Sequence, residues 1–192
     1  MRIIAGSLKG RRLAPVRGRT RPTAARVKEA VFSILGEAVL KIRVLDLFAG
    51  TGALGIEALS RGARQAVFVE DHPAALKVLG RNLESLGLEG QSLVLPLPVT
   101  AALRKLAARR EPFGLVFMDP PYGGEVAAAT LTYLGAGGLL SPSAWVVAEH
   151  SRRQTLPESC GKLKRQLLRR YGDTQVAFYL AEINSEKHPQ EG

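Results

Sequence analysis

Five short apolar runs occupy the middle of the chain: "RVLDLF" from residue 43, "QAVFVED" from 65, "SLVLPL" from 92, "FGLVFMD" from 113 and "AWVVAEH" from 144. Each is separated from the next by a stretch with helical spacing. Strands this uniformly apolar are buried on both faces, and a strand that alternates with helices must return in parallel. The connecting segments support this. "PAALKVLGRNLESLG" puts Leu76, Leu79, Leu83 and Leu86 on one helical face, with Pro73 at its start and Gly87 at its stop. "RPTAARVKEAVFSILGE", ahead of the first strand, places Val27, Val31, Ile34 and Leu35 at helical spacing, with Thr23 as its cap. The terminal segment "LKRQLLRRYGDTQVAFYLAEI" has Gly172 and Asp173 between two strand-like stretches, the pattern of an antiparallel hairpin. The expected fold is α/β, a doubly wound, mostly parallel sheet of seven strands completed by that hairpin.

The fourth run ends abruptly in "DPPYGG". Pro120 and Pro121 have no N–H to give a ladder, and a proline also biases its predecessor toward extended geometry. Asp119 and Pro120 are thus confined at a strand's carboxyl end, where open α/β sheets bind ligands. The first run leads into "FAGTGALG", whose Gly50, Gly52 and Gly55 form GxGxxG between strand and helix, and Glu70 closes the second run. That spacing is the dinucleotide fingerprint, so a nicotinamide-dependent dehydrogenase is one reading. Asp46 favours another. A carboxylate just ahead of the loop repels a pyrophosphate and suits a cation. S-adenosylmethionine offers a sulfonium, an ammonium and a ribose, and no phosphate.

The "LDLFAGTG" loop, Glu70 and "DPPY" resemble motifs I, II and IV of class I S-adenosylmethionine-dependent methyltransferases acting on exocyclic amines. More narrowly, "MRIIAGSLKGRRL", "RPTAARVKEAVF" and "DLFAGTGALGIEALSRGA" are similar to the RsmD family of 16S ribosomal RNA guanine-N2 methyltransferases, over nearly the whole chain. The resemblance implies a Rossmann-like class I methyltransferase fold that uses S-adenosyl-L-methionine and no metal. Its cofactor pocket would comprise Asp46, Phe48, Ala49, Gly50, Thr51, Gly52, Glu70 and Asp71, with Phe48 open to either core or cofactor. Asp119 and the Pro120 carbonyl would accept hydrogen bonds from the substrate amine, while Tyr122 stacks on a base taken out of its helix or loop. One departure stands out. Where such enzymes commonly aim an Asp or Asn at the adenine of the cofactor, this chain reads "PLPVTAAL", so no side chain is assigned near Pro98 and Val99. DPPY alone also fits adenine-N6 methylation. An RNA-binding module without activity is a further reading, against which the intact Asp119-Pro120-Pro121-Tyr122 argues.

Charge points to the partner. The chain carries 27 basic and 17 acidic residues, a net +10, and no acid precedes Glu29. Arg11, Arg12, Arg17, Arg19, Arg21 and Arg26 lie in that basic block, which suits a polyanion such as 16S ribosomal RNA or a small-subunit assembly intermediate. A solvated tail is the plainer alternative, but "RIIAG", "SLKG" and "RRLAPV" read as strand, turn, strand, a small basic hairpin. We therefore divide the chain into a hairpin at 1–20 that binds RNA, a methyltransferase domain at 21–184 and a flexible tail at 185–192. No apolar run approaches the roughly 18 residues of a membrane span, and Cys160 is the lone cysteine, so a cytoplasmic monomer without disulfides is expected. His72, His150 and His188 show no metal-binding spacing.

Overall fold

The computed structural model of the protein describes residues 1–16, 22–120 and 126–182, with side chains from residue 25 onward in the first helix. Strands β1 (Arg43–Leu47), β2 (Gln65–Val69), β3 (Ser92–Leu95), β4 (Phe113–Met118) and β5 (Leu140–Ser151) alternate with helices along the chain. Helix α1 (Pro22–Leu35) precedes β1; α2 (Ala53–Ser60), α3 (Pro73–Leu86), α4 (Val99–Ala107) and α5 (Val126–Ala136) make the crossovers. The chain ends in β6 (Ser159–Cys160), β7 (Leu163–Tyr171) and β8 (Thr174–Ala181). The sheet order is β3-β2-β1-β4-β5-β8-β7-β6. Strands β1 to β5 run parallel, while β6, β7 and β8 pair antiparallel. The sheet therefore has eight strands among the described residues, not seven; the additional β6 is two residues long, too short to leave a periodic pattern.

All five residues of β1 are buried, because each face of the sheet carries its own core. Leu45, Leu47, Val67 and Val69 face α4 and α5 through Leu103, Leu106, Leu131 and Leu134. Val44, Ala66 and Phe68 face α1 to α3 through Val31, Phe32, Ile56, Leu79 and Leu83. In α1 the inward face includes Phe32, 1% exposed, whereas Ile34 is 39% exposed and turns outward. Pro73 opens α3 and Gly87 closes it as expected. The chain leaves β1 toward β2 and β3 on one side, and places β4 and β5 on the other. That reversal makes the carboxyl ends of β1 and β4 the topological switch point, where a crevice opens in such sheets.

The amino terminus folds back through a single antiparallel bridge, Arg2 to Arg12, rather than through extended strands. Ile3 and Leu13 are 2% and 3% exposed, buried in the core on the α1–α3 face. Buried polar groups fix the segment. Glu57 accepts the Ile4 and Ala5 N–H groups at 2.9 and 3.0 Å, and Ser60 Oγ donates to the Ala5 carbonyl at 2.6 Å. Only glycine fits at residue 6, since a Cβ there would lie 1.7 Å from the Ser60 carbonyl oxygen. The amino-terminal segment is packed as an integral layer of the domain.

Candidate active site

Three carboxylates gather at the switch point. Asp46, the fourth residue of β1, is 2% exposed, and its Oδ2 accepts the Gly55 N–H at 2.9 Å. Gly55 is the third residue of α2, so Asp46 caps that helix from a neighbouring strand, Gly52 at the N-cap position having no side chain to do so. A side chain at residue 55 would block this approach: its Cβ would sit 2.4 Å from the Phe68 ring. Burial raises the Asp46 carboxyl to about 8; the Gly55 bond opposes the rise, and the charges of Asp119 and Glu70 add to it.

Glu70 follows β2 and is 8% exposed. Its Oε2 accepts the Gly50 N–H at 2.8 Å, and its Oε1 accepts the Asp71 and His72 N–H groups at 3.0 and 2.9 Å. A carboxylate has about four acceptor sites; among the described residues three are engaged, leaving one open. The loop between these acids is tightly shaped. Ala49 N–H donates to the Val69 carbonyl and Gly52 N–H to the Ala49 carbonyl, at 3.0 and 2.8 Å. Phe48 holds φ at +61°, a conformation an aromatic residue seldom adopts outside constrained sites. Its half-buried ring packs against the core on the α4–α5 face. Asp119 is exposed just beyond β4 and Pro120 is buried. The β1–β4 register, Leu47 opposite Met118, sets the start of the glycine loop beside Asp119 and Pro120.

The arrangement separates two ligand classes. A dinucleotide places its pyrophosphate on the helix amino terminus after the glycine loop. Here an oxygen of the Asp46 carboxyl already occupies that terminus, with two further acids beside it. The mouth therefore suits a cationic ligand free of phosphate.

Residues 1–180 match the family model described as "Conserved hypothetical protein 95". The chain belongs to this family. Its relatives include "Putative rRNA methyltransferase YlbH" of Bacillus subtilis, 42% identical over 93% of this chain and 98% of that protein. "Ribosomal RNA small subunit methyltransferase D" of Escherichia coli K12 is 35% identical over 82% of this chain and 78% of its own. Among solved structures, "Putative methyltransferase yhhF from Escherichia coli" matches with a TM-score of 0.82 and 33% identity, covering 95% of this chain and 98% of that one. The T. thermophilus "16S rRNA N2 G1207 methyltransferase (RsmC) in complex with AdoMet and Guanosine" matches at 0.66 and 26%, over 86% of this chain and 44% of that one. The resemblance to the RsmD family and the class I methyltransferase fold both stand.

In this RsmD-family chain, Asp46, Phe48 to Gly52, Glu70, Asp71, Asp119 and Pro120 lie at or just beyond the carboxyl ends of the adjacent strands β1, β2 and β4. Tyr122 falls outside the described residues, as do Arg17, Arg19 and Arg21. Arg11, Arg12 and Arg26 are exposed, and Arg11 Nη2 donates to the Ser85 carbonyl at 2.7 Å. Pro98 is the N-cap residue of α4, so the segment where a polar side chain was sought is a helix start.

Sequence reasoning missed Asn82. It is 2% exposed; its Oδ1 accepts the Ala14 N–H at 2.8 Å and its Nδ2 donates to the Thr51 carbonyl at 2.9 Å. One amide thus ties the amino-terminal segment to the glycine loop. Its position was informative: residues 79, 82, 83 and 86 share a helical face, so a polar residue sat on an apolar stripe. Lys28, which directly precedes the first acid of the chain, does not face a polyanion: it is 2% exposed and ion-paired to Glu57 at 2.7 Å. His150 is also buried, its Nδ1 3.0 Å from the Ser151 carbonyl.

Proposed function

We propose that this chain transfers a methyl group from S-adenosyl-L-methionine to the exocyclic N2 amine of a guanine in small-subunit ribosomal RNA. Methylation of ribosomal RNA follows from the family and from what its relatives are named for. The cofactor reading rests on one observation above all: Asp46 fills the amino terminus of α2, the place a dinucleotide phosphate would need. Three acids and one remaining Glu70 acceptor fit a cation carrying a ribose.

When bound, S-adenosylmethionine supplies an electrophilic methyl carbon on a sulfonium, and catalysis then rests mainly on placement and electrostatics. The amine nitrogen bonds to that carbon as the carbon–sulfur bond breaks, and sulfur keeps the electron pair. Asp119 and the Pro120 carbonyl accept the two N–H bonds of the amine, drawing its lone pair out of conjugation with the ring. No base is required beforehand, because the nitrogen becomes acidic only after methylation; its proton then leaves through Asp119 to water. Tyr122 stacks on the extruded base, since a paired base cannot reach the crevice. Asp71 borders the ribose side, and the adenine contact comes from backbone or from another segment rather than from a side chain at residues 98–99. The basic segment 1–20, with Arg11, Arg12, Arg17 and Arg19, and the adjoining Arg21 and Arg26 hold backbone phosphates, which position RNA without reading its sequence.

The test is transfer of tritiated methyl from S-adenosylmethionine to undermodified small-subunit RNA or subunits, followed by nucleoside analysis. Labelled N2-methylguanosine is the expected product. Labelled N6-methyladenosine would retain the enzyme and replace the target; NAD binding without S-adenosylmethionine binding would overturn the reading.

A further inference from the structure

The opposite rim of the sheet carries a second cationic feature. A cavity of about 820 Å³ opens at the amino-terminal ends of β1, β2 and β4, its lining including Lys41, Arg43, Arg64, Gln65, Arg110 and Glu111. The strands place it roughly 15–20 Å from the carboxylate cluster, on the far edge.

Arg43 anchors its floor. It is 8% exposed, donates to Gln65 Oε1 at 3.0 Å and to the Glu111 carbonyl at 2.6 Å, pairs with the Glu111 carboxylate at 2.7 Å and lies 4.7 Å from the Phe113 ring centroid. Glu111 is the single acid among the described lining residues, and it is engaged with Arg43. Lys41, Arg64 and Arg110 are exposed around the rim, and Arg109 stands close enough for its charge to act on Arg43.

The backbone argues against an incidental solvated patch. Lys41 and Arg110 have φ of +58° and +52°, the left-handed conformation that glycine adopts freely and other residues adopt at a cost. Both follow helical segments, the 3-10 turn Gly36–Val39 and α4, at sites where glycine is the usual stop. A cation near a helix carboxyl end gains less than this strain costs. Two strained positions that converge on one cavity both carry cations.

We propose that this rim is a second phosphate-binding surface that grips the backbone of the substrate ribosomal RNA away from the target base. The inference rests on the ribosomal RNA reading above. The cations come from three separate connections around an exposed rim, which fits phosphates spaced along a strand; each contact releases counterions and steepens the salt dependence.

The test uses full-length protein with Lys41→Gly, Arg64→Ala and Arg110→Gly combined. Glycine relieves the left-handed strain, so the variant should melt at or above the wild-type temperature and bind S-adenosylmethionine equally well. Its salt slope for small-subunit RNA should fall by roughly 2 to 3, at about 0.7 to 0.9 per lost contact. KM for RNA should rise, with the single-turnover rate at saturating RNA unchanged. Wild-type salt slope and affinity in the folded variant would overturn the proposal while leaving methyl transfer intact. ATP binding at the rim as tightly as RNA would also overturn it, by assigning the surface to small phosphates. If the wild-type protein methylates no ribosomal RNA, the functional reading and this inference fall together.

Discussion

Asp46 and Glu57 are both buried carboxylates that touch the same helix, and their surroundings are opposite. Glu57 is met by Lys28 at 2.7 Å, Arg61 at 2.9 Å and two backbone N–H groups. Burial alone would push its carboxyl up, but Lys28, the Ile4 N–H and Arg61 together hold it below the ordinary range. Asp46 has the Gly55 N–H and, nearby, two more acids, and it is raised to about 8. A buried charge that the fold neutralises holds structure together. One left under-compensated beside a crevice is available to a ligand.

The structural half of this comparison carries the largest expected effect. Glu57→Ala leaves the Lys28 ammonium buried and unpaired and deprives the Ile4 and Ala5 N–H groups of their acceptor. Removing one partner of a buried pair costs about 3–5 kcal/mol, a fall in melting temperature of roughly 10 °C for a chain of this size. Thermal unfolding checks it; a shift of only a degree or two would mean that Glu57 is not the clamp. The same geometry changes how the basic terminus should be probed. Deleting the first residues would remove Ile3 and Leu13 from the core, so its RNA contacts are better tested by neutralising Arg17, Arg19 and Arg21 singly.

The contrast between the two acids also explains what was legible beforehand. Strands and crossover helices leave local periodic patterns, and Asp46, Glu70 and Asp119 sit beside glycines or prolines that mark strand ends. Their convergence follows from parallel topology alone. Glu57 had no such marker. Its partner Lys28 lies 29 residues away, in a helix whose position beside α2 no short pattern encodes, so Lys28 read as one more basic residue. Ile34 shows the limit of spacing: Phe32 took the inward direction. Asn82 was detectable as a polar residue on an apolar face, though not its two partners. The two-residue β6 exists only because Leu163 and Lys164 lie opposite Ser159 and Cys160.

Glu70 tests the ligand side. Its carboxylate shapes the glycine loop through Gly50 and keeps one acceptor site for a ribose hydroxyl, so Glu70→Ala should lose a charge-assisted bond of about 1.5–3 kcal/mol. Calorimetry should register S-adenosylmethionine affinity weaker by roughly ten- to a hundredfold. Unchanged affinity in a folded variant would remove Glu70 from the pocket.

The smallest effect tests the comparison most directly, because it depends on Asp46 protonation. Its carboxyl is raised to about 8 by burial, with Asp119 and Glu70 adding to the rise. The folded protein therefore holds this proton between the unfolded value of roughly 3.9 and about 8. Over that window the free protein loses stability as pH rises, since the unfolded chain releases the proton first. A cationic cofactor reverses the preference by favouring the ionised form. S-adenosylmethionine affinity should therefore increase as pH rises, by up to about tenfold between one unit below and one unit above that value, with a proton released on binding. Asp46→Asn should flatten both dependences. Measured at several pH values in buffers of different ionisation enthalpy, calorimetry reports affinity and proton release together. Affinity independent of pH in the wild-type protein, with no proton released, would mean that Asp46 is as fully compensated as Glu57 and serves only as the cap of α2.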